Sequence, residues 1–113
     1  GPGKGGFTEE EILEYIRVCT PDNIHGVCED YRAAFKIDLP MDTADFEAGR
    51  KVLPEALVLW GAKSHTAHHH DPRIEWPKYC AQIVRMAELP CGHYPTEQAP
   101  DDTYRELHAF FSA

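Results

Sequence analysis

The residues with the most chemical potential fall in two short stretches. The segment "ELPCGHYPTEQAP", Glu88 to Pro100, sets His93 on a glycine-containing loop directly after an apolar run. An imidazole titrates near neutrality, so a histidine presented this way suits acid–base chemistry if partners are supplied. The segment "SHTAHHHD" gathers His65, His68, His69, His70 and Asp71. Imidazoles at that density bind zinc, copper or nickel. Contiguous histidines cannot all face one ion, so no dedicated metal is expected, with His65, His68 and His70 as the alternative ligand set. The four cysteines, Cys19, Cys28, Cys80 and Cys91, show no CxxC spacing. Buried free thiols are expected of them, rather than a disulfide framework or a thiolate zinc site.

The elements that must position these residues are legible from local signals. Thr8 and Glu11 have capping-box spacing, with Phe7 and Ile12 at the staple positions, so a first helix starts at Thr8. Thr20-Pro21 restarts the pattern as cap and first helical residue. In that second helix Ile24, Cys28, Tyr31 and Phe35 share one face, which predicts that Tyr31 lies on a buried side. "KIDLPMDTAD" reads as an irregular connector, followed by a short helix across Thr43–Lys51 with Asp42 as its cap.

"ALVLWG", Ala56 to Gly61, reads as a strand: a continuous apolar run closed by glycine, of the kind covered on both faces in a parallel sheet. The histidine-rich stretch follows as a polar loop. Pro72 then opens a helix to about Gln82, and Ile83–Leu89 forms a second strand leading to His93. The last helix, Pro100 to about Ser112, aligns Tyr104, Leu107, His108 and Phe111 on one face. One βαβ unit results, so the strands should be parallel with a right-handed crossover. Two strands are too few for a stable sheet, which predicts completion by another copy or by further sequence.

The totals exclude several classes. With 113 residues there is room for one modest core. A net charge of −8, with 11 basic residues among 19 acidic ones, opposes a nucleic-acid or membrane-surface partner. No apolar run approaches the ~20 residues of a membrane span, and no leader resembles a signal peptide, so a cytoplasmic protein is expected. Residues 1–6, "GPGKGG", read as a flexible leader, and Gly1-Pro2 as a cleavage scar.

Three segments, taken in order and at this spacing, resemble one family. "NIHGVCEDYRAAFKIDL", "AGRKVLPEALVLWG" and "LPCGHYPTEQAPDDTYRELHAFF" are similar to the C-terminal portion of haloacetate (fluoroacetate) dehalogenases, which are α/β-hydrolases. "CEDYRA" and "PCGHY" are the most specific pieces. The resemblance implies an α/β fold that is a partial α/β-hydrolase. Residues 7–45 would be the last cap helices, and residues 46–113 the C-terminal part of the core, with "ALVLWG" and "QIVRMAELP" as its final strands. His93 would be the water-activating base and Tyr31 the cap tyrosine that holds departing halide. No cofactor is implied.

The same resemblance marks what the residues do not supply. The nucleophilic aspartate of this family lies in a His-Asp-Arg-Gly type turn, and no such stretch occurs in the sequence. The position where many α/β-hydrolases carry the acid is Ser64, which fits the dehalogenase pattern. A fragment-like, truncated homologue is therefore expected, inactive by itself. The expected partners are a second copy or a complementing N-terminal hydrolase half. The alternatives are a non-catalytic self-associating or partner-binding module, and an epoxide hydrolase-like parent sharing the aspartyl-ester mechanism.

Overall fold

The computed structural model describes residues 4–113, and the chain divides into two compact units, one ending at Arg50 and the other running from Lys51 to Ala113. Of the expected leader, residues 1–3 lie outside the described residues, and Lys4–Gly6 forms a single 3-10 turn.

The first unit is helical. Helix α1 (Glu9–Val18) starts where the capping box predicts: the Glu11 amide donates to Thr8 Oγ1 at 3.2 Å, and the Thr8 amide donates to Glu11 Oε2 at 2.6 Å. Helix α2 (Pro21–Ala33) is capped by Thr20, whose hydroxyl accepts from the Asn23 amide. Asn23 Nδ2 in turn donates to the Val18 carbonyl at 2.6 Å, joining the end of one helix to the start of the next.

The "KIDLPMDTAD" connector is a correction. A π-turn over Ala34–Asp38 leads straight into helix α3 (Leu39–Glu47), so the expected irregular stretch and later helix start are both replaced. Pro40 sits at the start of α3 within a continuous helical run, and the π-turn just before it accommodates its ring and its missing N–H. Asp42 lies inside that helix rather than capping it.

The second unit holds the parallel pair. Strand β1 (Val52–Gly61) pairs with β2 (Cys80–Leu89) in parallel, with Trp60 opposite Glu88 and Gly61 opposite Leu89. The register slips between Val52 and Glu55, next to Pro54, which has no N–H for the ladder. The expected polar histidine loop instead forms short helix α4 (His65–His69), capped by the buried Ser64, whose Oγ accepts from the Ala67 amide at 3.1 Å. Helix α5 (Pro72–Glu75) passes into a 3-10 turn, Trp76–Lys78, and does not reach Gln82. Pro77 disfavours further helix, and Cys80–Gln82 are drawn into strand β2. Helices α6 (Pro95–Gln98) and α7 (Pro100–Phe111) complete the unit.

The pleat of β1 serves two layers. Trp60 is buried under the Arg73 guanidinium, 4.7 Å from the ring centre, and its indole N–H donates to Glu88 at 3.1 Å. On the alternate side Leu59 packs against Leu89, Cys91 and Ala99, the small core beneath the loop that carries His93. Helix α7 turns Thr103 and Glu106 inward and leaves Tyr104 and Phe111 exposed. Its apolar face, as grouped from the sequence, is the outer one. Arg85 of β2 holds Glu106 bidentately, with Nη2 to Oε1 at 2.6 Å, and this pair recruits the polar face to the sheet. Among the described residues no helix is long and apolar enough to cross a membrane.

Candidate functional site

The loop after β2 is built by continuing the strand pairing past the end of the sheet. The Ala62 amide donates to the Leu89 carbonyl at 2.9 Å, and the Lys63 amide to the Cys91 carbonyl at 2.9 Å. This close approach requires Gly61. A Cβ there would lie 1.8 Å from the Gly92 oxygen and 2.6 Å from the Cys91 oxygen. The glycine that closes "ALVLWG" is therefore the floor on which the histidine loop rests.

The other side of the loop is held by a residue that the sequence did not single out. Gln98, at the end of α6, accepts through Oε1 from the Gly92 amide at 2.9 Å and from the Tyr94 amide at 3.2 Å. Both partners are donors, so the carbonyl oxygen of the amide must face them. The two bonds bracket His93. Gly92 again gives room, since a Cβ there would meet Gln98 Oε1 at 2.9 Å. The available signal was a polar amide one turn after Pro95, inside a loop whose amides need acceptors. Thr103 fixes α6 in turn, its hydroxyl lying 2.9 Å from the Pro95 carbonyl and 2.8 Å from that of Ala99.

His93 itself is exposed, its ring edge-on to Tyr94 with centroids 5.1 Å apart. Two residues before it, Cys91 is buried, and burial foremost, then the charge of Asp102, pushes its thiol up from the ordinary value. A protonated thiol is a poor nucleophile, so this shift disfavours a nucleophilic role for Cys91 beside His93. The carboxyl of Glu106 is held below its ordinary value chiefly by its hydrogen bonds from Arg85. That makes it a charged structural anchor rather than a proton donor.

Tyr31 belongs to the first unit, on α2, and the expectation that it is buried is corrected: it is 69% exposed, and Phe35 is 75% exposed. Among the described residues no side chain of this unit is buried, because no second apolar layer within it covers the stripe of α2. Cys19 and Cys28 are exposed for the same reason, against the expectation of burial, whereas Cys80 and Cys91 are buried in the core of the second unit.

In the histidine-rich segment the helical turn brings His65 to His69, with ring centroids 4.2 Å apart, instead of collecting His65, His68 and His70. Among the described residues no group of three histidine, cysteine or carboxylate side chains could hold a metal ion.

Comparison with known proteins places this geometry. No protein-family model matches the chain. It is 38% identical over 111 residues to a fluoroacetate dehalogenase from a Burkholderia sp, a match covering 97% of this chain and 36% of that protein. It is 26% identical over 107 residues to a soluble epoxide hydrolase from Corynebacterium sp. (strain C12), covering 94% of this chain and 35% of that one. Among solved structures, a Nostoc sp PCC 7120 protein assigned as an alpha/beta hydrolase superposes with a TM-score of 0.83 at 37% identity, over 94% of this chain and 36% of its own. The chain spans about a third of the length of the relatives it matches.

Proposed function

The chain is a partial α/β-hydrolase fold that matches the C-terminal portion of a haloacetate (fluoroacetate) dehalogenase-like hydrolase, and from that premise we propose that it carries the water-activating part of a hydrolytic dehalogenase of short haloacids. In the parent reaction a carboxylate attacks the carbon bearing the halogen, halide leaves, and an ester forms. His93 takes a proton from water as that water attacks the ester carbonyl, and the hydroxy acid is released. The observation that carries this reading is the placement of His93. It stands on a braced loop at the carboxyl end of two parallel strands, where open α/β sheets put their sites. Tyr31, with an accessible hydroxyl on the cap-like helix α2, is the proposed donor to departing halide. Residues 7–45 would then be cap and residues 46–113 core.

No residue of this sequence sits in a nucleophile turn of the kind that reaction needs. The 113-residue polypeptide is therefore expected to release no halide above the buffer rate from fluoroacetate or chloroacetate. An ion-selective electrode measures this directly, and turnover at an ordinary enzymatic rate would refute the assignment of incompleteness. An epoxide hydrolase-like parent is the second reading, supported by the likeness to the Corynebacterium protein. Parallel assays with a haloacid and an epoxide, on the chain supplemented with a hydrolase N-terminal half, separate the two.

The exposed Ile16, Ile24, Tyr31 and Phe35 favour a covering partner, either that hydrolase half or a second copy. A sharply monomeric sedimentation profile of well-folded chain would remove the second copy. Exposed free thiols at Cys19 and Cys28 fit a reducing, cytoplasmic setting.

A further inference from the structure

We infer that Gln98 is the positioning residue of His93: its side-chain carbonyl clamps the amides on either side of the histidine and sets where the imidazole stands. The inference rests on the reading of His93 as the water-activating base, and it adds a residue to that site. The loop from Pro90 to Tyr94 is held by backbone on both sides of His93. Before it stand the Ala62 and Lys63 amides and the contact of Gly61 with Gly92. After it the Gln98 amide donates to the Tyr94 carbonyl at 2.9 Å. Between these two points the chain can still adjust about Gly92, a residue with a wide choice of backbone conformations.

Gln98 Oε1 limits that adjustment. It accepts from the Gly92 amide at 2.9 Å and from the Tyr94 amide at 3.2 Å, so the Cys91–Gly92 and His93–Tyr94 peptide units point toward one atom and the segment carrying His93 is pinned at both ends. Its own placement is secured by the Thr103 hydroxyl, which is buried and ties α6 to α7. A general base must be held within hydrogen-bond reach of its water, and a small displacement of the ring would forfeit that. The clamp acts through the backbone and leaves both imidazole nitrogens for chemistry.

The test uses the 113-residue chain and does not depend on turnover. Amide hydrogen exchange is compared in the parent, Gln98→Met and Gln98→Glu. Methionine removes the acceptor at similar length. Exchange at Gly92 and Tyr94 is expected to quicken about tenfold, as befits loss of one ordinary hydrogen bond each, while Ala62 and Lys63 keep their protection. Glutamate restores the acceptor, so both amides regain protection.

Unchanged exchange at Gly92 and Tyr94 in Gln98→Met would overturn the inference. So would failure of Gln98→Glu to restore protection that Gln98→Met has lost. Should Gln98→Met lose protection throughout the second unit, Gln98→Glu decides alone: retained protection at both amides supports the clamp, and lost protection overturns it. Halide release bears only on the proposed function, so that reading can fail while the clamp stands, and the reverse.

Discussion

The two units of this chain are held by different physics. In the first, helices α1 to α3 are specified by signals a few residues apart: the Thr8–Glu11 capping box, the Thr20 cap, the Glu14–Arg17 pair at 2.6 Å and the Asn23 bond to Val18. No side chain among its described residues is buried. In the second, the bonds that matter join residues far apart in sequence: Gly61 against Gly92, Trp60 to Glu88, Arg85 to Glu106. A unit stabilised locally tolerates substitution of its apolar residues, and one stabilised by long-range contacts does not.

The largest effect should come from Gly61→Ala. The added methyl cannot coexist with the Gly92 carbonyl, so the loop must leave β1, at a cost of about 3 kcal/mol. Hydrogen exchange should show the second unit opening while α1 keeps its protection. Equal loss in both units would erase the contrast drawn between them.

Next is Glu106→Gln, which weakens the strand-to-helix anchor and lowers the melting midpoint. The folded carboxyl lies below its ordinary value because of Arg85. Its contribution is therefore full above the usual glutamate range, and is lost as pH falls through the folded value. The variant's stability should depend less on pH over that acidic window. An unaltered acid-unfolding curve would deny Arg85–Glu106 its role.

Thr8→Ala is expected to cost about 1 kcal/mol, confined to α1 and visible as reduced helicity at its first turn. Phe35→Ser should be the mildest, within about 0.5 kcal/mol for the folded chain, since the ring is already in water. If a second copy covers α2, the same variant weakens association, and sedimentation across a concentration series reads both effects together.

Legibility followed the same division. Thr8, Thr20 and Pro21 announced their helices because a cap is decided within four residues. The apolar run of β1 announced a strand, and its parallel pairing with β2 followed from the connection between them. Tyr31 and Phe35 were misread because periodicity names a face without saying what covers it. Which way the shared face of α7 points was not legible for a related reason: Arg85, a residue from β2, draws Glu106 inward against the hydropathy pattern.

By itself, then, the sequence determined the starts of α1 and α2, the parallel strand pair and the position of His93 on a loop after the second strand. Tertiary structure decided what braces that loop. Gly61 lies 31 positions before Gly92 and accepts its backbone, and Gln98 folds back from a short helix to hold the amides around His93. The Gly61 contact leaves no periodic or local signature, because it depends on how the backbone returns to meet itself, and Gln98 leaves only that of a polar amide one turn after Pro95.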